Sequence, residues 1–247
     1  MSVYACADIH GNGKIWDNIK KFLKEDDKLY FLGDAIDRGE DGWRIFNEML
    51  TDHRVIYILG NHELMMRQYL KEILDDDEYT HDAYILWVAY NGGLPTYRAL
   101  LNDNIDYTDI IEVIDDMPVV EVYRNTEGVD MILSHAGFTP KSFPKNDWDA
   151  VWNRKHITTG PWDGYDDLPP FLIVHGHTPV SVLMDLIDED MPPAESGAPQ
   201  EYIVSPEGPI WYWNNMKVDI DVGTVLTHQT VLFNLDTYES IIVKEEV

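Results

Sequence analysis

The chain has 247 residues, 45% of them apolar, 12% aromatic and 26% charged, the composition of a globular protein with a sizeable core rather than of a disordered or fibrous one. Eighteen Lys and Arg stand against 45 Asp and Glu, a formal net charge of -27, so the sequence offers no basic footprint for a nucleic-acid partner. The lone Cys6 excludes an internal disulfide, and the absence of any run of about 18 apolar residues argues against a membrane span.

Residues 3–7 form an apolar, β-rich run that ends in Asp8-Ile9-His10-Gly11, after which Ile15, Trp16, Ile19, Phe22 and Leu23 recur at helical spacing. With no basic start or long apolar core of a signal peptide before it, the expected location is the cytoplasm. Residues 28–32 repeat the pattern, leading into Gly33-Asp34-Ala35-Ile36-Asp37-Arg38-Gly39 and a helix marked by Trp43, Phe46, Met49 and Leu50. Residues 55–59 then lead into Gly60-Asn61-His62-Glu63. This βαβαβ order predicts parallel strands whose carboxyl ends open on one crevice, with each polar cluster in a loop at that edge. Residues 64–117 are helical and acidic in pattern, and are expected to form a mainly helical insertion beside the crevice of a single domain spanning 1–247.

Strand patterning resumes at 119–123 and 131–133, the second followed by Ser134-His135-Ala136-Gly137, and residues 171–174 precede His175-Gly176-His177-Thr178-Pro179. Residues 210–213, 218–220, 225–233 and 240–243 alternate as strands do, while 191–200, rich in Pro, Ala, Ser and Gly, suits an exposed loop. The acidic runs at 75–78 and 188–190 read as solvated surface.

Each polar cluster alone has an ordinary reading: turn chemistry for Asp8 and His10, an ion-paired turn at 33–39, a helix cap for Asn61. Together they place Asp8, His10, Asp34, Asn61, His135 and His177 at five strand ends. Such a mixed set of oxygen and imidazole donors suits two divalent ions of the Mn, Fe or Zn kind, with no thiolate chemistry. A carboxylate bridging both ions makes a hydrolytic site of the two-metal type.

Taken in order, these motifs resemble the PPP family of metal-dependent phosphoprotein phosphatases, within the calcineurin-like metallophosphoesterase superfamily. The chain is most similar there to the short bacterial and bacteriophage-type serine/threonine phosphatases. Ile220-Asp221-Val222-Gly223 is similar to that family's late strand, so the likeness runs over nearly the whole chain. The resemblance implies an α/β fold, a four-layer sandwich of two mixed sheets flanked by helices. It implies that Asp8, His10 and Asp34 hold one ion and Asp34, Asn61, His135 and His177 the other, with Mn²⁺ the expected metal. It further implies that Arg38, Asn61, His62 and Arg154 hold the substrate phosphate, and that His62 protonates the leaving oxygen with Asp37 orienting it.

The chemistry supports those roles. A hydroxide shared by two cations is available near neutral pH for direct in-line attack on phosphorus, Arg forks bind phosphoryl oxygens bidentately, and an imidazole backed by a carboxylate donates a proton. The expected activity is that of a metal-dependent phosphomonoesterase, first of all a serine/threonine protein phosphatase acting on phosphorylated proteins or peptides. Symmetric bis(5'-nucleosyl)-tetraphosphatases, or enzymes for another small phosphoester, are the alternative; such tetraphosphatases often carry Gln-Gly and an aromatic where this chain has His10-Gly11 and Thr178. A non-catalytic metal-binding scaffold is the third reading, disfavoured because every ligand, arginine and His62 is present. The wider group often adds a histidine where this chain has Pro179, so one ion is expected to keep open positions. Glu63 and His175 read as supports rather than ligands, the eight Trp as packing residues, and His53, His81, His156 and His228 as ordinary hydrogen-bonded side chains. The acidic surface predicts a preference for phosphosites flanked by Lys or Arg.

Overall fold

Strand β1 (Val3–Cys6) is buried on both faces, Val3 and Ala5 turning to one apolar cluster and Tyr4 and Cys6 to another. A strand with that pattern sits inside a layered protein. The structure, a computed structural model, describes residues 1–75, 80–103, 105–137, 148–158, 171–190, 203–204, 208–213 and 215–245. The 191–200 loop, residues 76–79 and the side chains of 188–190 lie outside the described part.

From β1 the chain passes through α1 (Gly13–Phe22) to β2 (Lys28–Phe31), then through α2 (Gly42–Thr51) to β3 (Val55–Tyr57), and the three strands pair in parallel as the βαβαβ pattern requires. Asn12 caps α1 by accepting the Ile15 N–H at 3.1 Å, and Ile15, Trp16 and Ile19 meet Tyr4, Cys6 and Phe31 on the outer face of this sheet. Between β3 and the second sheet come α3 (Asn61–Leu74), α4 (Thr80–Tyr84), a π-helical turn (Ile85–Tyr90), α5 (Leu94–Asp103) and α6 (Tyr107–Asp115). Met65, Met66, Tyr69, Trp87, Leu100 and Ile114 from these helices join the same outer cluster.

The second sheet begins with β4 (Val120–Arg124) and β5 (Asp130–Ser134), followed by α7 (Trp148–Trp152), α8 (Lys155–Thr158), β6 (Phe171–His175) and α9 (Val180–Asp190). It is completed by β7 (Ile203–Val204), β8 (Ile210–Tyr212) and β9 (Lys217–Asp219), in the order β4-β5-β6-β9-β8-β7. The chain then returns through α10 (Thr224–Thr227) to β10 (Gln229–Asn234) and β11 (Ser240–Lys244), which extend the first sheet to β11-β10-β1-β2-β3.

Met131, Leu133, Val174, Val218 and Ile220 pack against Val3, Ala5, Ala7, Val231 and Phe233 between the sheets, while Ile157, Leu183, Ile210 and Tyr212 cluster on the outside of the second. The fold is therefore the expected four-layer sandwich of two mixed sheets with helices outside. One expected strand is corrected: residues 225–233 are not continuous. Gly223 and His228 both take left-handed backbone angles, φ 71° and 53°, and fold Thr224–Thr227 into a helical turn before β10 begins at Gln229. Among the described residues no helix is long and apolar enough to cross a membrane.

Candidate metal centre and active site

Asp8 follows β1, Asp34 follows β2, Asn61 follows β3, His135 follows β5 and His177 follows β6, and these strands run parallel within their sheets. All six predicted ligands, Asp8, His10, Asp34, Asn61, His135 and His177, are buried at this common edge. What meets there is a crowd of acceptors. His10 turns Nδ1 to the Ile36 carbonyl at 3.2 Å, which leaves the Nε2 lone pair 3.7 Å from Asp34 Oδ2 and 4.0 Å from Asp8 Oδ1. His135 donates its Nδ1–H to the Leu32 carbonyl at 2.6 Å, so Nε2 meets Asn61 Oδ1 at 2.8 Å and Asp34 Oδ1 at 3.5 Å with no proton to share. His177 Nδ1 lies 3.0 Å from Asn61 Oδ1, and its buried Nε2 has no hydrogen-bond partner among the described residues.

Two ligands each about 2.1 Å from one ion are at most about 4.2 Å apart, and every separation above is within that limit. Burial lowers His10, His135 and His177 below the ordinary histidine range, keeping the rings neutral as ligation requires. Burial also pushes Asp8 well above its ordinary value, with Asp221 and Asp34 adding repulsion, a crowding of negative charge that divalent cations relieve. The residues fit a pair of such ions, Asp34 offering one oxygen to each group.

The loops that achieve this are strained. Of the ten non-glycine residues at positive φ among the described residues, six are Asp8, His10, Asp34, Asp37, Arg38 and His177. Glu63 holds the Asp34 loop in shape: it is fully buried, and its carboxylate accepts the N–H groups of Asp34 at 3.0 Å and Ala35 at 3.1 Å and the Tyr57 hydroxyl at 2.8 Å. Burial, then the neighbouring Asp34, pushes Glu63 up to about 7. Gly60 allows the loops to touch, since a Cβ there would fall 2.5 Å from the Asp34 nitrogen and the Glu63 carboxylate. Asn61 is the first helical residue of α3 rather than its cap, and the Asp34 carboxylate takes over by accepting the His62 N–H at 3.0 Å.

Beside the cage, His62 Nδ1–H donates to Asp37 Oδ2 at 2.7 Å, and Nε2 lies 3.7 Å from Asp34 Oδ2 and 3.2 Å from Arg38 Nη2. Burial disfavours the imidazolium, but the Asp34 and Asp37 carboxylates more than offset it and raise His62 above its ordinary value. A guanidinium can only donate, so Nε2 accepts from Arg38 in this arrangement; His62 also lies close enough to His10 and Asp34 for the three to hold an ion. Across the opening, exposed Arg154 donates Nε–H to Thr178 Oγ1 at 3.0 Å. A cavity of about 500 Å³ is lined by Arg38, His62, Arg154, His177 and Asp34 together with Asn61 and His10.

With that geometry in view, comparison with known proteins gives one family. The model of the calcineurin-like phosphoesterases matches residues 1–220. The chain belongs to the calcineurin-like phosphoesterase family. A symmetrical bis(5'-nucleosyl)-tetraphosphatase from Acidovorax sp. (strain JS42) is 25% identical over 148 residues, 57% of this chain and 46% of that protein, so the match spans less than half of the relative's own length. A crystal structure of a provisionally assigned diadenosine tetraphosphatase superposes with a TM-score of 0.60 at 15% identity, over 98% of this chain and 92% of that one. A metallophosphoesterase from Sphaerobacter thermophilus gives 0.53 at 13% identity, over 100% of this chain and 88% of that one. At such identities the two structures share the fold. Calcineurin-like phosphoesterases typically bind two divalent metals, and this chain brings together His/Asp groups, sharing Asp34, that could hold metal ions.

Some residues around this site escape sequence reasoning. Trp87, in the π-helical turn, donates Nε1–H to Asp37 Oδ2 at 2.7 Å, Thr96 Oγ1 accepts the Asp37 N–H at 3.0 Å and the Gly92 carbonyl accepts the Arg38 N–H at 2.8 Å. The helices after β3 thus brace the His62 partner, in line with the use of π-turns at functional sites. Asp221 lines the cavity and Asp219 lies buried behind it, accepting the Asp221 N–H at 3.0 Å; the strand alternation in 218–220 and the likeness of Ile220-Asp221-Val222-Gly223 to the family's late strand pointed to the segment but not to a role for either carboxylate. His175 faces away, Nδ1–H donating to Gly176 O at 3.0 Å and Nε2 accepting from the Tyr212 hydroxyl at 2.6 Å, and Pro179 lines the cavity. His53 and His228 are exposed beside Glu25 and Glu245, and the side chain of His81 lies outside the described part. His156 departs from its expected hydrogen-bonded role: both ring nitrogens are buried without a hydrogen-bond partner among the described residues, and the ring packs edge-on against His175 at 4.8 Å. Cys6 is no nucleophile, since burial pushes its thiol up to about 12.

Proposed function

We propose that the protein is a metal-dependent phosphomonoesterase acting on phosphoserine and phosphothreonine in proteins, with Asp8, His10, Asp34, Asn61, His135 and His177 as ligands of two Mn²⁺ ions. The whole chain, residues 1–247, forms one metallophosphoesterase domain in this reading, with the helices from α3 to α6 as its insertion. The ions would supply Lewis acidity towards the phosphoryl oxygens and a water of lowered pKa. The side chains do the rest. Arg38 and Arg154 both line the cavity and neutralise phosphoryl oxygens, Arg154 doing so with its two terminal amino groups because Nε is engaged by Thr178. His62 takes up a proton at Nε2 as Arg38 turns from that nitrogen to the phosphoryl oxygens, favoured by the Asp34 and Asp37 carboxylates, and passes it to the leaving oxygen, while Asp37 fixes the ring through Nδ1.

The observation that supports a monoester is the pairing of two arginines on one cavity with a carboxylate-backed histidine. A terminal phosphoryl group carries three free oxygens for such donors, whereas an interior phosphate of a dinucleoside chain has only two. Symmetrical cleavage of a dinucleoside tetraphosphate is the second reading, supported by the name of the Acidovorax relative. Metal-stripped protein assayed with and without Mn²⁺ on p-nitrophenyl phosphate, a phosphothreonine peptide and diadenosine tetraphosphate separates the two. Metal-dependent release from the peptide is the expected result, and a preference for the dinucleotide would transfer the assignment to nucleotide turnover.

A further inference from the structure

Helix α8 directly follows Arg154 and is only four residues long, so it cannot satisfy its own last carbonyls. Two donors reach up to them, Trp213 from the β8–β9 turn and Lys217 from the start of β9. Lys217 Nζ donates to the His156 carbonyl, and Trp213 Nε1–H donates to the Ile157 carbonyl at 2.6 Å. The Ile157 N–H donates in turn to the Arg154 carbonyl at 3.0 Å, which completes a run of hydrogen bonds from the turn to the arginine.

Both donors are unusual where they stand. Lys217 is only 1% exposed, with its ammonium 5.7 Å from the centre of the Tyr212 ring and 5.8 Å from that of Trp213. Lysine is almost never buried so completely, and an apolar side chain would fill the same space beside Tyr212 without desolvating a charge. Trp213 has φ 51°, in the left-handed region that bulky side chains avoid. Core filling does not explain the left-handed strain at Trp213, and what the two share is the direction of their N–H groups, towards consecutive carbonyls behind Arg154.

We infer that Lys217 and Trp213 are positioning residues for Arg154, an inference that rests on the phosphate-binding role proposed for that arginine. Neither lines the cavity, so each acts through α8. Thr178 fixes the guanidinium at Nε while Lys217 and Trp213 fix the main chain beneath it, and loss of a lower anchor lets the fork swing away from the phosphoryl oxygens.

The test is a double-mutant cycle on Mn²⁺-loaded protein, reading kcat/KM for p-nitrophenyl phosphate, inhibition by orthovanadate and bound metal per chain. Lys217→Met is expected to lower kcat/KM roughly tenfold and to weaken vanadate by a similar factor with bound metal unchanged, and in an Arg154→Ala background to lower it by less than about twofold. Trp213→Phe keeps an aromatic side chain but removes the N–H together with the five-membered ring, so it remains informative should Lys217→Met fail to fold; its expected loss is about threefold, again absent without Arg154. Wild-type activity in both variants, or losses that persist in full without Arg154, would overturn the inference. An Arg154→Ala protein as active as wild type would instead remove the proposed role of Arg154 first, and this inference with it.

Discussion

At the edge of the first sheet, Asp34, Asp37 and His62 are each hydrogen-bonded within 3.0 Å to a buried partner: Glu63 for the Asp34 loop, Trp87 for Asp37, and Asp37 for His62. At the edge of the second sheet, Arg154 is exposed; its side chain donates to one hydroxyl, and its main-chain carbonyl accepts the N–H of Ile157 in α8. The first edge is rich in buried carboxylates, the second in histidines with Lys217 beneath them. Groups that hold ions and move a proton need fixed geometry in a dry setting, whereas a clamp on a substrate that enters and leaves sits where solvent reaches it.

Removing the residue both ion groups share should break the first edge most severely. Asp34→Asn weakens both clusters and also alters the acceptor that caps α3, so kcat/KM should drop by roughly 10³-fold or more, with bound metal per chain falling in parallel. Retention of both metals and most of the activity would mean that Asp34 bridges nothing. His62→Asn separates proton donation from metal binding on the same edge: kcat should fall on the order of 10²-fold with metal content unchanged, and the loss should shrink for a leaving group as acidic as p-nitrophenol. An emptied metal site in that variant would make His62 a ligand and not an acid.

Much of this contrast is legible in the sequence, but unevenly. The first edge is built from residues within a few positions of strand ends, so Asp8-Ile9-His10-Gly11, Gly33-Asp34 and Gly60-Asn61-His62-Glu63 carry their own local signals, and the βαβ pattern brings them together. The supports are not legible because they come from far along the chain: Trp87 reaches Asp37 across 50 positions and Lys217 reaches His156 across 61. A lysine in a strand reads as a solvent-facing residue, yet both faces of β9 are covered and Lys217 is buried. Val225-Leu226 reads as the start of a strand because β-branched and apolar residues favour one, and the left-handed angles at Gly223 and His228 bound it within α10 instead.

A smaller change sharpens the second edge. Thr178→Val removes the acceptor of Arg154 Nε and nothing of the arginine itself, so kcat/KM should fall about three- to tenfold, the worth of one hydrogen bond to a charged group made in an exposed setting. Orthovanadate inhibition should weaken with it. A Thr178→Ser variant restoring both would assign the effect to the hydroxyl; failure of the serine to do so would point to the methyl and its packing.

The smallest effect expected is one of stability, and it too divides the sheets. His175 is fully buried behind the second edge, and burial, with the nearby Lys217 cation adding to it, pushes its pKa down to about 3 although the Gly176 carbonyl pulls the other way. The unfolded chain binds a proton at this ring below about 6.5, whereas the folded chain refuses it until about 3. The stability contributed by the neutral ring is therefore fully present above the unfolded value and is lost as pH falls towards the folded one, with a slope of at most about 1.4 kcal/mol per pH unit. His175→Gln should be less stable at pH 7, because the Tyr212 hydroxyl and Gly176 carbonyl lose a fitted partner, but its stability should fall less steeply between pH 6 and pH 4. Urea unfolding of both proteins in EDTA across that range measures the two slopes with ion release excluded. Parallel slopes would place the acid sensitivity among the other buried histidines, and a steeper slope in the variant would mean that the folded protein protonates His175 readily, against the fully buried and fully bonded ring seen here.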